Sequence, residues 1–325
     1  MTRFRRFLFH GIFTVLAAAG AAWSATAIWL NQSGVALVFA LVLLALAVVA
    51  VISARIYKRR IGWAALALAV VGVFGWYQTI TPRADRVWAP DVAHGVTARI
   101  NDNLITLANL RDFDWQTKDR ANERWISETY DLDQLESVDM LTSVWDSPDI
   151  AHLLVSFGFS NGEQVVFSVE IRREEGEKFS EIGGFFRQFE LVLIAATEQD
   201  IVRLRTDFRD EKVRMFPVVL TPEQRRTMFL SYVGLAKDLE KKPQFYNTIS
   251  ANCTTVVYGL ARSLKSDLPI RKSLILSGRL PQYLEELGVL GGKGTTGDRL
   301  NGALLRADAQ IAHPNLTFSQ AIRVK

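Results

Sequence analysis

His152-Leu153-Leu154-Val155-Ser156-Phe157-Gly158-Phe159, then Ser160-Asn161-Gly162-Glu163, then Gln164-Val165-Val166-Phe167-Ser168-Val169-Glu170-Ile171-Arg172, reads as two strands and the turn that joins them. Both strand segments are rich in Val, Phe and Ile and alternate with period two, and Asn-Gly supplies the positive φ angles of a tight hairpin turn. Odd positions Leu153 to Phe159 and Val165 to Ile171 form an apolar face. Even positions form a second face that carries His152, Ser156, Gln164, Ser168, Glu170 and Arg172. A three-residue loop pairs Phe159 with Glu163, and that register sets Glu170 opposite His152. The expected fold is therefore built on an antiparallel sheet.

Outward from the hairpin the pattern changes twice. On its N-terminal side, residues 105–110 are short and strand-like, Asn109 to Trp115 reads as a charged aromatic loop, and 82–99 reads as a linker with Pro82, Pro90 and His94. On its C-terminal side, 189–196 and 213–219 are further strand candidates, with charged connections at 198–200 and 205–211. Thr221-Pro222-Glu223-Gln224 then opens a helix, with threonine as cap and Gln224 three residues on. Met228, Phe229, Tyr232, Val233, Ala236 and Leu239 recur at helical spacing, as do Val256, Val257, Leu260, Ala261 and Leu264 in a second helix opening at Asn252 or Cys253. The tail reads as helix, glycine-rich loop, helix. Strands followed by helices make the domain α+β, a sheet packed with helices.

The first 81 residues are different in kind. They hold Arg3, Arg5, Arg6, Arg55, Lys58, Arg59 and Arg60 and no acid, while the whole chain of 325 residues carries a net +4, so the remainder is mildly acidic. Basic charge confined to an apolar segment removes the electrostatic case for a nucleic-acid partner, despite a pI near 9.2. Three uncharged stretches, about 7–30, 35–54 and 61–80, each match the roughly 20 residues needed to cross a bilayer. The cationic loops assign residues 2–6 and 55–60 to the cytoplasm, Asn31 to Ser33 to the outside, and everything after Pro82 to the outside. The expected organisation is a membrane anchor at 1–81, a linker at 82–99 and an external domain at 100–325, in a multi-pass protein of the inner membrane whose domain is periplasmic in a Gram-negative host. Arg3 to Ala27 also has the three regions of a cleaved signal peptide, which would leave two spans and the same external domain. A soluble hairpin of buried helices fits less well, because three such spans contain no acid.

One cysteine and four histidines cannot build a disulfide framework or a structural zinc site, and no phosphate-loop or dinucleotide motif is present. The reading is no cofactor and no metal, with the lipid bilayer as partner. Cys253 sits at a helix start, where unpaired N–H groups favour a thiolate and can hold an oxyanion. His152 can exchange a proton with it, and Glu170 can orient the ring. The plainer readings are a small buried cysteine, a hydrogen-bonded strand histidine and a solvated acid.

Asn109-Leu110-Arg111-Asp112-Phe113-Asp114-Trp115, Ala151-His152, Ser168-Val169-Glu170-Ile171-Arg172-Arg173, Phe186-Arg187-Gln188-Phe189 and Phe245-Tyr246-Asn247 with Asn252-Cys253-Thr254-Thr255 resemble, in order over about 100–290, the bacterial Lnb N-terminal periplasmic domain family, a domain of unknown function. Its histidine and Asn-Cys-Thr marks fall on His152 and on Asn252, Cys253 and Thr254. The order of histidine strand, polar strand and cysteine at a helix start is similar to permuted papain-like enzymes. That resemblance implies Cys253 as nucleophile, His152 as base then acid, and Glu170 as the orienting group with Ser168 as the next candidate. The oxyanion would be served by the Cys253 N–H with Asn252 or Tyr246. The implied substrate is an envelope amide or ester, either a peptidoglycan peptide or a lipid-linked acyl group, in a hydrolase or acyltransferase reaction. The alternative is a non-enzymatic binding or assembly module that presents Arg111, Arg172 and Arg173, for which structural ion pairing is the commoner reason.

Overall fold

The computed structural model describes residues 3–83 and 85–324, and these divide into a unit of 1–85 with 180–188 and a unit of 86–179 with 189–325. The cytoplasmic placement expected of Thr2, and the parts of the expected linker and domain at Ala84 and Lys325, lie outside the described residues.

In the first unit the three uncharged stretches are helices α1 (Arg3–Asn31), α2 (Gly34–Tyr57) and α3 (Arg59–Gln78), each long and apolar enough to cross a membrane. Gly34 takes the left-handed conformation, φ +57, that turns the chain from α1 into α2. Extended Lys58 separates α2 from α3. There the Arg55 guanidinium stands 4.5 Å over the Phe13 ring, and the Arg55 backbone lies so close to Gly62 that a Cβ would meet its Cα at 2.6 Å. Residues 180–188, with the short helix α4 (Glu181–Phe185), belong to this unit.

The second unit is built on a sheet of nine strands among the described residues. In chain order they are β1 (Thr97–Asn101), β2 (Leu104–Arg111), then, after the separate pair β3 (Asp114–Thr117) and β4 (Arg120–Asn122), β5 (Trp125–Asp131), β6 (Leu135–Val144), β7 (His152–Phe159), β8 (Gln164–Arg172), β9 (Glu190–Ala196), β10 (Lys212–Pro217) and β11 (Gln244–Phe245). The spatial order is β1-β2-β9-β8-β7-β6-β10, with β5 on β2 and β11 on β9, antiparallel except where Arg111 of β2 meets Ala196 of β9. The expected hairpin is β7–β8, and Phe159 N–H donates to the Glu163 carbonyl at 3.0 Å, the register read from the sequence.

Both faces of the sheet are covered. Val155, Phe157, Val165 and Phe167 pack on α6 (Pro222–Lys241) and α7 (Cys253–Ala261), with the Phe157 and Phe229 rings edge to face at 5.1 Å and Phe167 stacked on Tyr232 at 4.8 Å. Truncating Phe229 there would cost about 3–5 kcal/mol. Leu154, Val166 and Ile194, on the opposite face, pack on Ile201 and Val202 of α5 (Glu198–Arg203). The tail supplies α8 (Leu280–Glu286), α9 (Thr296–Gly302), α10 (Ala309–Ala312) and α11 (Phe318–Ala321), the last also covering this second face. The Thr221 capping box and Pro222 start α6 as expected.

Two expectations need correction. Residues 86–96 of the expected linker are part of the domain: Ala89, Val92 and Val96 are buried, and Ala89 N–H donates to the Arg173 carbonyl. Pro90 starts a helical turn there rather than an open tether. The loop expected at Asn109–Trp115 is instead the end of β2 and the start of β3. Arg111 is buried there because it pairs with Asp200 at 2.7 Å, with Phe113 buried beside it.

Candidate functional site

The β7–β8 ladder stops at the pair Leu154 and Ser168, one residue short of where the register would continue to Leu153 and then His152. Into that opening comes the first turn of α7. Asn252 caps it, its Oδ1 accepting from Thr254 N–H and Thr255 N–H, both at 2.9 Å, while Thr255 Oγ1 accepts from the Asn252 N–H. The cap sets Cys253 as the first helical residue, and the Leu153 N–H, beyond the last ladder pair, helps to lower the thiol's pKa. Thr254 is buried behind it, its Oγ1 3.9 Å from Sγ.

His152 and Cys253 lie close enough to act on each other, the histidine drawing the thiol down and the cysteine drawing the imidazole up. His152 Nε2 lies 2.7 Å from Ser168 Oγ and 3.1 Å from Glu170 Oε1, and the Ser168 hydroxyl donates to the same Glu170 oxygen at 2.7 Å. With Ser168 donating to the acid, its oxygen accepts from Nε2, which leaves Nδ1 outside this network. Arg205 Nη2 also donates to Glu170 Oε1, at 3.0 Å, and its Nη1 is anchored on the Ile201 carbonyl at 2.8 Å. Glu211 lies 3.9 Å from Arg205 Nε and accepts from the Ser143 hydroxyl.

These contacts set the charges. Burial pushes Glu170 up, but the His152 charge and hydrogen bond, then Arg205 and Ser168, hold it well below the usual carboxylate range. Burial pushes His152 down, and the Glu170 charge together with Cys253 overcomes it, raising the imidazole to about 9. Burial likewise pushes the thiol up, but the His152 hydrogen bond and charge, the Leu153 N–H and the Thr254 hydroxyl bring Cys253 below its ordinary value. The pair favours thiolate and imidazolium.

The segment leading into His152 is clamped from the tail. Ala151 N–H donates to Ser277 Oγ at 2.8 Å, and Gly278 N–H donates to the Asp149 carbonyl at 3.0 Å. A Cβ at Gly278 would sit 1.9 Å from the Pro148 carbonyl oxygen, so only glycine fits. A cavity of about 680 Å³ opens beside this clamp, lined by Asp149, Lys272, Ser273, Arg279 and Tyr283 among others; Cys253 and His152 are not in its wall.

Of the residues singled out in the sequence, Cys253, His152, Glu170 and Ser168 converge. Asn252 is committed as the cap, its amide nitrogen held by the Thr248 carbonyl at 2.7 Å. Tyr246 packs into the apolar cluster under α7, with its N–H on the Phe189 carbonyl. The arginines stand apart, tied into the fold. Arg111 grips Asp200, Arg172 donates to the carbonyls of Val92 and Ala93 and stands 4.5 Å over Trp88, and Arg173 pairs with Asp91 at 2.7 Å. Arg205 and the Leu153 N–H were not legible in advance. Arg205 lies on a π-helical turn, Leu204–Phe208, within a stretch whose sequence reads only as a charged connection.

The family model of the Lnb N-terminal periplasmic domain matches residues 121–283, and the chain belongs to that family. The match spans β5 to α8 and contains both His152 and Cys253. With its three apolar helices, the chain is a membrane-anchored envelope protein with a periplasmic domain. No curated protein and no solved structure matches it.

Proposed function

We propose, starting from membership of the Lnb N-terminal periplasmic domain family, that this chain is a cysteine hydrolase or acyltransferase of the cell envelope, with a permuted papain-like site. The observation that carries the reading is His152, held by Ser168 at 2.7 Å and Glu170 at 3.1 Å, beside Cys253 at the first turn of α7, where each of the pair shifts the other's titration. The Cys253 thiolate attacks the acyl carbon of an amide or ester, and an S–C bond forms as the carbonyl oxygen becomes an oxyanion. Asn252 takes the second and third N–H groups of α7, which leaves the first, that of Cys253, to serve the oxyanion. Collapse breaks the C–N or C–O bond, and His152 gives its proton to the departing amine or alcohol. Water or an acceptor amine or alcohol then loses a proton to His152 and attacks the thioester, returning the thiolate. Glu170, Ser168 and Arg205 hold the ring and stabilise its charged form.

The protein would sit in the inner membrane with three crossings, its domain at 86–179 and 189–325 in the periplasm. Peptidoglycan peptides and lipid-linked acyl groups are the substrates within reach of such an anchored domain. The test is to incubate the full chain in nanodiscs separately with peptidoglycan fragments and with bacterial phospholipids, and to look by mass spectrometry for an acyl mass on Cys253. A hydroxylamine-labile adduct absent from Cys253→Ala supports the reading and identifies the class. No adduct from either source, with the thiol still reactive to iodoacetamide, would point to the binding or assembly module.

A further inference from the structure

We propose that residues 180–188, the excursion between β8 and β9, are a membrane-interface element, with Ile182 and Phe185 of α4 inserted among the lipids of the outer leaflet. The chain passes between the two units at 85–86, 179–180 and 188–189, so the domain's own sequence returns to the membrane unit once after leaving it. The segment is fastened to the ends of two spanning helices. Asn31, the last residue of α1, donates from Nδ2 to the Phe186 carbonyl at 2.8 Å. Arg187 donates from Nη1 to the carbonyls of Tyr77 at 2.9 Å and Ile80 at 3.2 Å, and from Nη2 to Gln78 Oε1 at 3.1 Å.

A guanidinium there meets the Tyr77 carbonyl in the last turn of α3 and complements the negative end of its dipole. Arg187 does this from a left-handed backbone, φ +59, a conformation that a non-glycine residue keeps only where its surroundings impose it. The depth of the segment is marked by aromatics. The Phe186 ring lies 5.5 Å from Trp23, which stands 4.9 Å from Tyr77, and Phe186 is buried with Ala27 and Tyr77. Trp and Tyr at helix ends mark the boundary between headgroups and acyl chains. Ile182 is 59% and Phe185 41% exposed, as is Trp29 near the end of α1, at 65%. The occupant that covers such residues, in continuity with the apolar surface of α1 to α3, is lipid.

The test uses nitroxide labels placed one at a time at Ile182→Cys, Phe185→Cys, Val42→Cys in α2 and Ile270→Cys on the domain surface. The background is full-length Cys253→Ser in phosphatidylcholine nanodiscs, which leaves one thiol to label. Collision with oxygen, which concentrates in lipid, is compared with collision with a water-soluble nickel chelate. Ile182 and Phe185 should give an oxygen-to-nickel ratio several-fold above that of Ile270, approaching that of Val42. A ratio equal to that of Ile270 at both positions, with Val42 in lipid, overturns the proposal alone. A label at Val42 that reads water overturns the spanning helices and this proposal together, and leaves the Cys253 chemistry untouched.

Discussion

Asp200, fully buried, and Glu170, partly buried, are both acids gripped by a buried arginine, on elements that pack against one sheet, yet their surroundings end differently. Asp200 accepts from Arg111 Nε and Nη2, from the Phe113 N–H and from the Trp115 indole, and it is fully buried. Every lone pair meets a donor that does not titrate near neutrality, so the cluster is a fixed joint between β2, β3 and α5. Glu170 accepts from Arg205 and Ser168, but its remaining partner is an imidazole, and beyond the imidazole is a thiol. A charge network that closes on itself gives rigidity. One that ends on two titratable groups in an opened ladder gives a site whose charge can move.

The sharpest way to separate the two regions is to remove their central groups. Cys253→Ala should abolish labelling by iodoacetamide entirely and leave the thermal melt nearly unchanged, since the sulfur is a small part of its cluster. Asp200→Asn should do the reverse. Breaking a buried pair costs about 3–5 kcal/mol because Arg111 is left uncompensated, while thiol labelling persists at temperatures where the variant is folded. Loss of Cys253 reactivity in folded Asp200→Asn would erase the distinction between joint and site.

Glu170→Gln comes next in size and acts through pH. The raised His152 contributes stability in full below its ordinary 6.5, and that stability is lost as the pH rises through about 9. The depressed Glu170 contributes above its ordinary 4.5 and loses its contribution as the pH falls below it. The wild-type melt should therefore be highest between about 4.5 and 6.5 for this pair, with a contribution on the order of 3 kcal/mol. Glu170→Gln should flatten both flanks. Identical profiles for the two proteins would remove Glu170 from the site. The smallest effect belongs to the exposed pair Arg279 and Asp149, 2.8 Å apart at the rim of the neighbouring cavity: Arg279→Ala should shift stability by less than about 1 kcal/mol.

How much of this was written in the sequence follows the range of the physics involved. The three apolar helices, the hairpin, its register and the cap of α6 rest on periodicity, turn chemistry and capping within a few residues, and each is where those rules place it. The convergence of Cys253 with His152 depends on a ladder that stops early and on α7 entering the gap, which no local pattern states. Arg205 was hidden for the same reason: its neighbours in sequence say surface connection, while its partners are 35 residues away at Glu170 and in the middle of α5. The Arg111 stretch misled in the opposite direction. Its charge and aromatic content suggested an exposed loop, whereas Asp200, distant in sequence, lets it be buried as strand.

The central claim is that Cys253 is a thiolate held by His152. It is tested most directly by the rate of Cys253 carboxymethylation from pH 4 to pH 10 in the full-length wild type and in His152→Ala, with thermal melts to confirm that both are folded. The rate in the wild type should rise below the free-cysteine value of about 8.5, hold a plateau while His152 remains protonated, and change again near pH 9, where His152 loses its proton. His152→Ala should lose the plateau and show a single rise near or above 8.5. A wild-type profile that already shows only that single rise, unchanged by His152→Ala, would contradict the claim and make Cys253 an ordinary core residue.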